Sequence, residues 1–190
     1  MTVGVLALQG AFESHQRRLA DLGADSAQVR TPDDLERVDA LVMPGGESTT
    51  MLKLLVSSGL FEPLRARIEA GMPVFGTCAG MILLATDVRD GRPDQVSFGA
   101  IDITVLRNGY GRQVDSFEAD LDIPTLADPR PFHGVFIRAP KVVRVGDGVE
   151  VLAEHDGVPV LLSQAAVSVA SFHPELADDQ RLHARFLQRL

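Results

Sequence analysis

The chain has 190 residues, and 45% of them are hydrophobic, which suits one globular domain over residues 1–190 with a sizeable buried core. Its net charge of -8 argues against an electrostatic grip on nucleic acid or on an anionic membrane, so we expect small molecules and proteins as partners. No apolar run approaches the roughly 20 residues that span a bilayer, and no signal-like segment opens the chain. These features predict a cytosolic protein.

The first half of the chain alternates between short apolar runs and amphipathic segments. Residues 3–8 predict a buried strand, and residues 11–22 predict a helix that ends at Gly23. The alternation then repeats, and it predicts a strand at 40–43, a turn at 44–46, helices at 49–57 and 61–70, a strand at 73–76 and a buried helix at 81–85. This order favours a largely parallel sheet covered by helices.

Beyond Gly91 the hydrophobic pattern changes to segments with one wetter face. The pattern predicts strands at 101–106, 134–138, 149–152, 158–162 and 167–172, a terminal helix at 178–190, and a loop at 87–96. We therefore expect some antiparallel pairing in this half, within a single α/β domain.

Cys78 is the only cysteine, so it can form neither an internal disulfide nor a multi-thiolate metal site. It lies in Gly76-Thr77-Cys78-Ala79-Gly80, where small residues flank a predicted strand-to-helix turn, as in a nucleophile elbow. The positive end of the helix dipole would favour the thiolate there. A cysteine that only packs between strand and helix is the alternative, and Cys78 taken alone favours it. The flanking glycines make the two interpretations equally good.

The segment His173-Pro174-Glu175 offers a base and a group that orients it, directly after a predicted strand. In extended chain, residues two apart point the same way, so both side chains can face one site. An ordinary surface turn is the alternative. The other histidines lack this combination of strand end and neighbouring carboxylate, and we predict solvated or structural roles for them: His15, His133, His155 and His183.

Attack on a carboxamide needs donors for the negative charge that develops on oxygen. The amide of Ala79 and an amide of the Gly45-Gly46 turn are the candidates. If this turn only ends a strand, Ser48 or Thr49 would be the N-cap of the next helix. The turn lacks the lysine and hydroxyl of a P-loop, and the sequence supports no metal site.

Together, the motifs around Gly46, Cys78 and His173 resemble, in order and spacing, the triad-type class I glutamine amidotransferases. Almost end to end, the chain is similar to the glutaminase subunits of pyridoxal 5'-phosphate synthase. The stretches that carry this resemblance are Leu8-Gln9-Gly10, Gly45-Gly46-Glu47-Ser48-Thr49-Thr50, Arg107-Asn108, Gly111-Arg112-Gln113-Val114-Asp115-Ser116-Phe117-Glu118 and Gly134-Val135-Phe136-Ile137-Arg138-Ala139-Pro140.

The resemblance implies a flavodoxin-like, three-layer α/β sandwich in which Cys78 attacks glutamine, His173 moves protons and Glu175 holds His173. It also implies an oxyanion hole at Gly46 and Ala79. Residues that would bind glutamine are Gly46, Glu47, Ser48, Arg107, Ile137 and Arg138. An arginine suits the α-carboxylate of the substrate.

The same resemblance implies a protein partner and no cofactor. In the family, the ammonia travels inside a (β/α)8 synthase subunit, a dodecamer of which carries twelve glutaminases, and docking activates the glutaminase. Gln9 lies in the loop that contacts the partner. If the Gly45-Gly46 peptide rests in an unproductive orientation, docking could flip it.

Three other functions stay open at this point. Another amidotransferase subunit of the same class, for instance one feeding imidazole glycerol phosphate, would share the triad, although the 111–118 stretch argues against it. A non-catalytic binding protein could keep the fold. A cysteine peptidase or hydrolase with the same elbow would need no partner.

Overall fold

The computed structural model describes residues 1–91, 96–107, 109 and 116–190. Asn108 and residues 111–115, which contribute to the resemblance, lie outside the described residues, as do residues 92–95 of the predicted loop. The strands are β1 Val3–Leu6, β2 Ser26–Val29, β3 Ala40–Met43, β4 Val74–Thr77, β5 Ala85–Arg89, β6 Ile101–Leu106, β7 Ser116–Leu121, β8 Phe132–Ile137, β9 Lys141–Val145, β10 Glu150–His155, β11 Val158–Gln164 and β12 Val167–Ala170. The helices are α1 Phe12–Asp21, α2 Pro32–Leu35, α3 Ser48–Ser57, α4 Phe61–Glu69, α5 Ala79–Leu84 and α6 Arg181–Leu187.

The described strands form a seven-stranded central sheet in the order β10-β11-β12-β4-β3-β1-β2. From β2 to β12 all neighbours pair in parallel, whereas β11 pairs antiparallel with both β12 and β10. The five parallel strands therefore have the flavodoxin order 2-1-3-4-5. Smaller sheets, β5-β6-β9 and β7-β8, flank the central sheet. The predicted parallel sheet and the predicted antiparallel part are both confirmed.

Side chains on alternate positions of the central strands enter two separate cores. On β3, Leu41 and Met43 pack into the core beneath α3, α4 and α5, and Ala40 and Val42 pack into the core with α1, α6 and the β7-β8 hairpin. Because both faces of β3 are covered, all four of its residues are buried. The fold is the three-layer sandwich implied by the resemblance.

Several elements differ from the sequence-based predictions. Residues 87–89 belong to β5 and not to a loop, and α6 begins three residues later than predicted. The carboxylate of Asp179 accepts a hydrogen bond from the backbone N–H of Arg181 at 3.0 Å, so the chain turns at Asp179 and α6 begins at Arg181. The edge strand β2 was not predicted, because three of its four residues are only half-buried and form no apolar run.

The short helix α2 was also not predicted, although the sequence carries a start signal for it. The Thr31 side chain accepts from the backbone N–H of Asp34, and the Asp34 carboxylate accepts in return, with Pro32 in the first turn. Among the described residues, no helix has the length and apolar character needed to cross a bilayer.

Candidate active site

The predicted site residues meet at the carboxyl ends of four neighbouring parallel strands. Gln9 follows β1, Gly45 and Gly46 follow β3, Cys78 follows β4 and His173 follows β12. In open α/β sheets, ligands bind outside the carboxyl ends of the strands, beside the point where the strand order reverses, and here that point lies between β1 and β3.

A pocket of about 340 Å³ opens at this point, in the lower part of the range of about 300–1,000 Å³ for small-ligand sites. It is lined by Gln9, Gly10, Ala11, Gly45, Gly46, Glu47, Ser48, Cys78, Ile82, Arg107, Ile137, Arg138, His173 and Leu176. Nine of these are predicted site residues, and only Ala79 and Glu175 of the predicted set lie behind the pocket wall. The sequence analysis had not assigned the wall residues Gly10, Ala11, Ile82 and Leu176 to the site.

Cys78 occupies a strained turn between β4 and α5. Its φ angle is +49°, in the left-handed region that residues with a side chain rarely adopt. The turn is held from behind, because the Cys78 N–H donates to the Ala170 carbonyl at 2.8 Å, and a Cβ on Gly80 would lie 2.2 Å from the Met43 carbonyl oxygen. The elbow predicted from the flanking small residues is confirmed, and it directs the sulfur into the pocket.

His173 lies against Cys78 and is oriented by Glu175. Its Nδ1 is 2.8 Å from Glu175 Oε1, and its ring lies beside Cys78, since an added Cβ on Gly45 would lie 2.9 Å from His173 Nδ1 and 3.3 Å from Cys78 Cβ. The approach is close, because a Cβ on Gly45 would lie 2.4 Å from His173 Cε1. Only glycine therefore fits at position 45. The structure brings Cys78 together with His173 and Glu175, which follow it by 95 and 97 positions in the sequence.

The charges of this trio support one another. Burial alone would lower the pKa of His173, but hydrogen bonds and charge interactions with Cys78 and Glu175 outweigh it and raise that pKa to about 10. Burial acts in the opposite direction on Glu175, yet the interactions with His15 and His173 hold the pKa of this carboxyl below its usual value. The arrangement therefore stabilises an imidazolium next to the thiol, between a buried carboxylate and a nucleophile.

Glu175 has a second imidazole neighbour that the sequence analysis did not predict. His15 Nε2 lies 3.3 Å from Glu175 Oε2, and His15 Nδ1 lies 2.9 Å from His183 Nε2. Both histidines are fully buried. A signal existed in the sequence, because His15 follows Phe12 by three residues and precedes Leu19 by four, which places it on the apolar face of α1.

At the opposite side of the pocket, Glu47 and Arg107 form an ion pair. The Glu47 carboxylate also caps α3 by accepting from the backbone N–H groups of Thr49 and Thr50, so the alternative of Ser48 or Thr49 as N-cap is wrong. Burial opposes the shift, but the contacts with Thr50, Thr49 and Arg107 lower the pKa of Glu47 to about 2. Glu47 is therefore ionised at neutral pH.

Ser48 lines the pocket with an unsatisfied hydroxyl. The residue is 2% exposed, and its Oγ has no hydrogen-bond partner among the described residues. A buried hydroxyl without a partner is uncommon and costs free energy, unless a ligand supplies the missing group. This orphan hydroxyl is consistent with a polar ligand in the pocket.

Three further predicted residues complete the walls. The side-chain oxygen of Gln9 accepts from the Glu47 N–H at 3.1 Å, which connects the loop after β1 to the turn after β3. The Ile137 carbonyl lies 3.8 Å from Cys78 Sγ, and Arg138 has a φ angle of +44°. Ala79 is fully buried at the start of α5. In the part of the chain that the structure describes, no His, Cys, Asp and Glu side chains are grouped to hold a metal ion.

This chain matches known proteins over almost its whole length. The model of the SNO glutamine amidotransferase family matches residues 5–190. A relative from Pelotomaculum thermopropionicum, named pyridoxal 5'-phosphate synthase subunit PdxT, is 56% identical over 100% of this chain and 95% of its own. A relative of the same name from Frankia alni is 55% identical over 97% of this chain and 92% of its own.

A solved structure agrees with the fold as well as with the sequence. The crystal structure of a glutamine amidotransferase superposes with a TM-score of 0.91 at 49% identity, and the match covers 98% of this chain and 97% of the other. The family model, the two relatives and this structure each match nearly the whole chain. The chain belongs to the SNO glutamine amidotransferase family.

Proposed function

We propose that this chain hydrolyses L-glutamine to L-glutamate and ammonia at Cys78 and supplies the ammonia for the synthesis of pyridoxal 5'-phosphate. The observation that carries the proposal is the line of Cys78, His173 and Glu175 at one end of the pocket, with a thiol on a strained elbow, a base beside it and a buried carboxylate behind the base. Membership of a glutamine amidotransferase family names the substrate class.

In the proposed mechanism the Cys78 thiolate attacks the side-chain carbonyl carbon of glutamine. The charge that develops on the carbonyl oxygen is stabilised by the backbone N–H groups of Gly46 and Ala79. The His173 imidazolium then gives its proton to the leaving nitrogen, the C–N bond breaks, and ammonia departs from a glutamyl thioester. Water, deprotonated by His173, attacks the thioester, and the products are glutamate and the thiolate.

The polar end of the pocket fits the α-amino and α-carboxylate groups of glutamine. Glu47 is ionised and can accept from the ammonium, and the Arg107 guanidinium can donate to the carboxylate in a bidentate manner. Gly46, Ser48, Ile137 and Arg138 line the space between these charges and Cys78, and the orphan Ser48 hydroxyl can bind a polar group of the substrate. A charged clamp of this kind favours a free amino acid over a peptide, so a cysteine peptidase is the weaker alternative.

The partner proposed for this chain is a pyridoxal 5'-phosphate synthase subunit. The support is the name of the two relatives, which match this chain over nearly its whole length at more than half identity. We propose that the synthase is a (β/α)8 dodecamer carrying twelve glutaminases, that Gln9 contacts it, and that residues 1–190 act as one domain. Gln9 suits a coupling role, because its side chain already bonds the backbone beside the Gly45-Gly46 turn. The cytosolic location stays a prediction.

The test is release of glutamate and ammonia from glutamine by the purified chain, alone and with the cognate synthase subunit. We expect strong activation by the synthase, because docking would exclude water and complete the oxyanion hole. Equal activity with and without the synthase would support glutamine hydrolysis by this chain but contradict its activation by docking. No activity in either case, with the chain folded and the synthase bound, would favour a non-catalytic protein of the same fold.

A further inference from the structure

A row of buried imidazoles extends from the triad through His15 on α1 to His183 on α6. Glu175 contacts His173 through Oε1 and His15 through Oε2, and His15 in turn contacts His183 on α6. His15 and His183 are fully buried, and Glu175 is 2% exposed. The proposed mechanism uses neither His15 nor His183. Burying polar side chains costs free energy unless each has a hydrogen-bond partner, so a buried cluster of this kind indicates a functional role.

The contacts define where the protons lie. Burial lowers the pKa of His15 and lowers the pKa of His183 to about 3, so both rings are neutral near pH 7 and each carries one N–H. One proton therefore lies between His15 Nδ1 and His183 Nε2, which are 2.9 Å apart. The question is which ring holds it.

Only one assignment points an N–H at Oε2 of Glu175. If His15 carried its proton on Nδ1, the bare Nε2 would face the Glu175 carboxylate at 3.3 Å, and His183 would carry its proton on Nδ1, a buried N–H without an acceptor. If His183 donates from Nε2, His15 carries its proton on Nε2 and donates it towards Glu175 Oε2, with Thr77 Oγ1 also 3.3 Å away. The second assignment avoids both defects. An imidazole N–H then faces each carboxylate oxygen of Glu175: His173 Nδ1 lies 2.8 Å from Oε1, and His15 Nε2 lies 3.3 Å from Oε2, which otherwise has no hydrogen bond among the described residues.

We propose that His15 is a positioning residue for the glutaminase reaction: its Nε2–H faces the second oxygen of Glu175 at 3.3 Å, and His183 fixes the tautomer of His15 that makes this possible. The inference rests on the proposed function, because it assumes that Glu175 orients His173. His15 touches neither the pocket nor the thiol. It acts by holding the carboxylate in place and in its charged form while the imidazolium of His173 forms and disappears during each turnover.

Other charges around Glu175 do not replace this contact. Arg18 on α1 contacts Glu175 only at its backbone carbonyl, to which the guanidinium donates at 3.4 Å. The same guanidinium forms ion pairs with Asp178 and Asp21. The other titratable groups that interact with the carboxylate are His173 and His183. Without His15, the buried Oε2 of Glu175, which has no hydrogen bond among the described residues, would also lose its contact at 3.3 Å with an imidazole nitrogen, and the charged form of the carboxylate would be less favoured.

Two substitutions that differ by one methylene group separate positioning from mere packing. In His15→Gln the amide nitrogen can occupy the place of Nε2 and donate to Glu175. In His15→Asn the amide reaches only the place of Nδ1, on the side of His183. Both keep a polar side chain at a buried position, so their effects on folding should be similar. Leu64→Ala, in the core on the other face of the sheet, is a control for general loss of stability.

Two readouts are measured for each variant as a function of pH. The first is the rate of alkylation of the purified chain by iodoacetamide, which reports the thiolate of Cys78 without ambiguity, because it is the only cysteine. The second is glutamine hydrolysis with the cognate synthase subunit bound, divided into kcat and KM. The alkylation assay needs neither substrate nor partner, so it remains informative if the hydrolysis assay fails.

For His15→Asn we expect kcat to fall about 10- to 100-fold, as for loss of one polar contact with a charged group, with KM within about twofold. The alkylation rate near pH 7 should fall relative to the rate at alkaline pH, because a poorly held carboxylate stabilises the imidazolium–thiolate pair less. His15→Gln should stay within about threefold of the wild type in kcat and keep the alkylation profile. Leu64→Ala should unfold at a lower temperature and keep the profile.

The proposal is overturned if His15→Asn and His15→Gln behave alike, or if His15→Asn folds and keeps the wild-type kcat and alkylation profile. It is also overturned if Leu64→Ala shifts the profile as His15→Asn does, because general instability would then explain the effect. Failure of the proposed function looks different. In that case the wild type itself would hydrolyse no glutamine with the synthase bound.

Discussion

The two ends of the pocket hold charged groups in opposite ways. At the thiol end, Glu175 is 2% exposed and is enclosed by His173 and His15. At the other end, the side chains of Glu47 and Arg107 are 39% and 20% exposed. A buried charge without its partner is strongly unfavourable, whereas an exposed ion pair contributes only about 0–1 kcal/mol to stability.

The difference suggests a division of work between the two ends. At the thiol end, moving His173 away from Glu175 would leave a buried carboxylate without its hydrogen-bonded partner, so the pair is held in place, and catalysis benefits from such preorganisation. The charged pair at the other end can exchange its internal contact for contacts with the ammonium and carboxylate of an amino acid at little cost. Substitutions at the thiol end should therefore act on kcat, and substitutions at the other end on KM.

The largest effect is expected for Cys78→Ala. Without the nucleophile no thioester can form, so glutamine hydrolysis in the presence of the synthase subunit should fall by more than about a thousandfold. Binding to the synthase, measured by cosedimentation, should remain largely intact. Retained hydrolysis with lost binding would contradict the role of Cys78 and would leave it a packing residue.

The next effect is expected for Gly45→Ala. The new Cβ would lie 2.4 Å from Cε1 of His173, so the ring must move away from Cys78, and kcat should fall by about 100-fold or more. Gly23→Ala is the matched control. It forces a residue with a side chain to a φ angle of +71°, but nothing lies within 4 Å of its Cβ. It should lower the melting temperature slightly and leave kcat unchanged, and equal activity of the two variants would argue against the close approach of His173.

A smaller effect, and one on KM, is expected for Arg107→Gln. The loss of a charged contact to the substrate carboxylate should raise KM for glutamine by about 10- to 100-fold with kcat within about threefold. Arg107→Lys keeps the charge without the bidentate geometry and should lie between the variant and the wild type. A fall in kcat at unchanged KM would show that Arg107 acts on the chemical step, as the thiol end does, and would contradict the proposed difference between the two ends.

The smallest effect concerns stability and pH. The pKa of His173 is raised in the folded chain, to about 10, above the usual value of about 6.5 in an unfolded chain. A raised pKa stabilises the fold fully below pH 6.5, and this contribution is lost as the pH rises through 10. The unfolding free energy of the wild type relative to His173→Gln should therefore decrease between these values. A difference that increases with pH would contradict the imidazolium next to Cys78.

Much of the architecture follows from local patterns. Apolar runs predicted β1, β3 and β4, and small residues around Cys78 predicted the elbow, because buried parallel strands and tight turns need those residue types wherever they occur. The edge strand β2 and residues 85–89 of β5 were missed, because strands with exposed faces have no such run.

The candidate triad could also be proposed from the sequence, but its neighbourhood could not. Cys78, His173 and Glu175 carry local signals, a glycine-flanked turn and a histidine two residues before a carboxylate. His15 and His183 carry only the spacing of an apolar face, which is compatible with any buried side chain. The contact between His15 and Glu175 joins residues 160 positions apart, and the contact between His15 and His183 joins residues 168 positions apart.

The sequence by itself determined the strand-and-helix order, the family resemblance and the residues able to do thiol chemistry, because each depends on residues close together in the chain. Only the tertiary structure decided which carboxylate oxygen faces which imidazole, that Glu47 and not Ser48 caps α3, and that Gly45 must be glycine to admit His173. These features depend on contacts between separate strands and helices, and such contacts exist only once the sheet has placed the ends of β1, β3, β4 and β12 side by side.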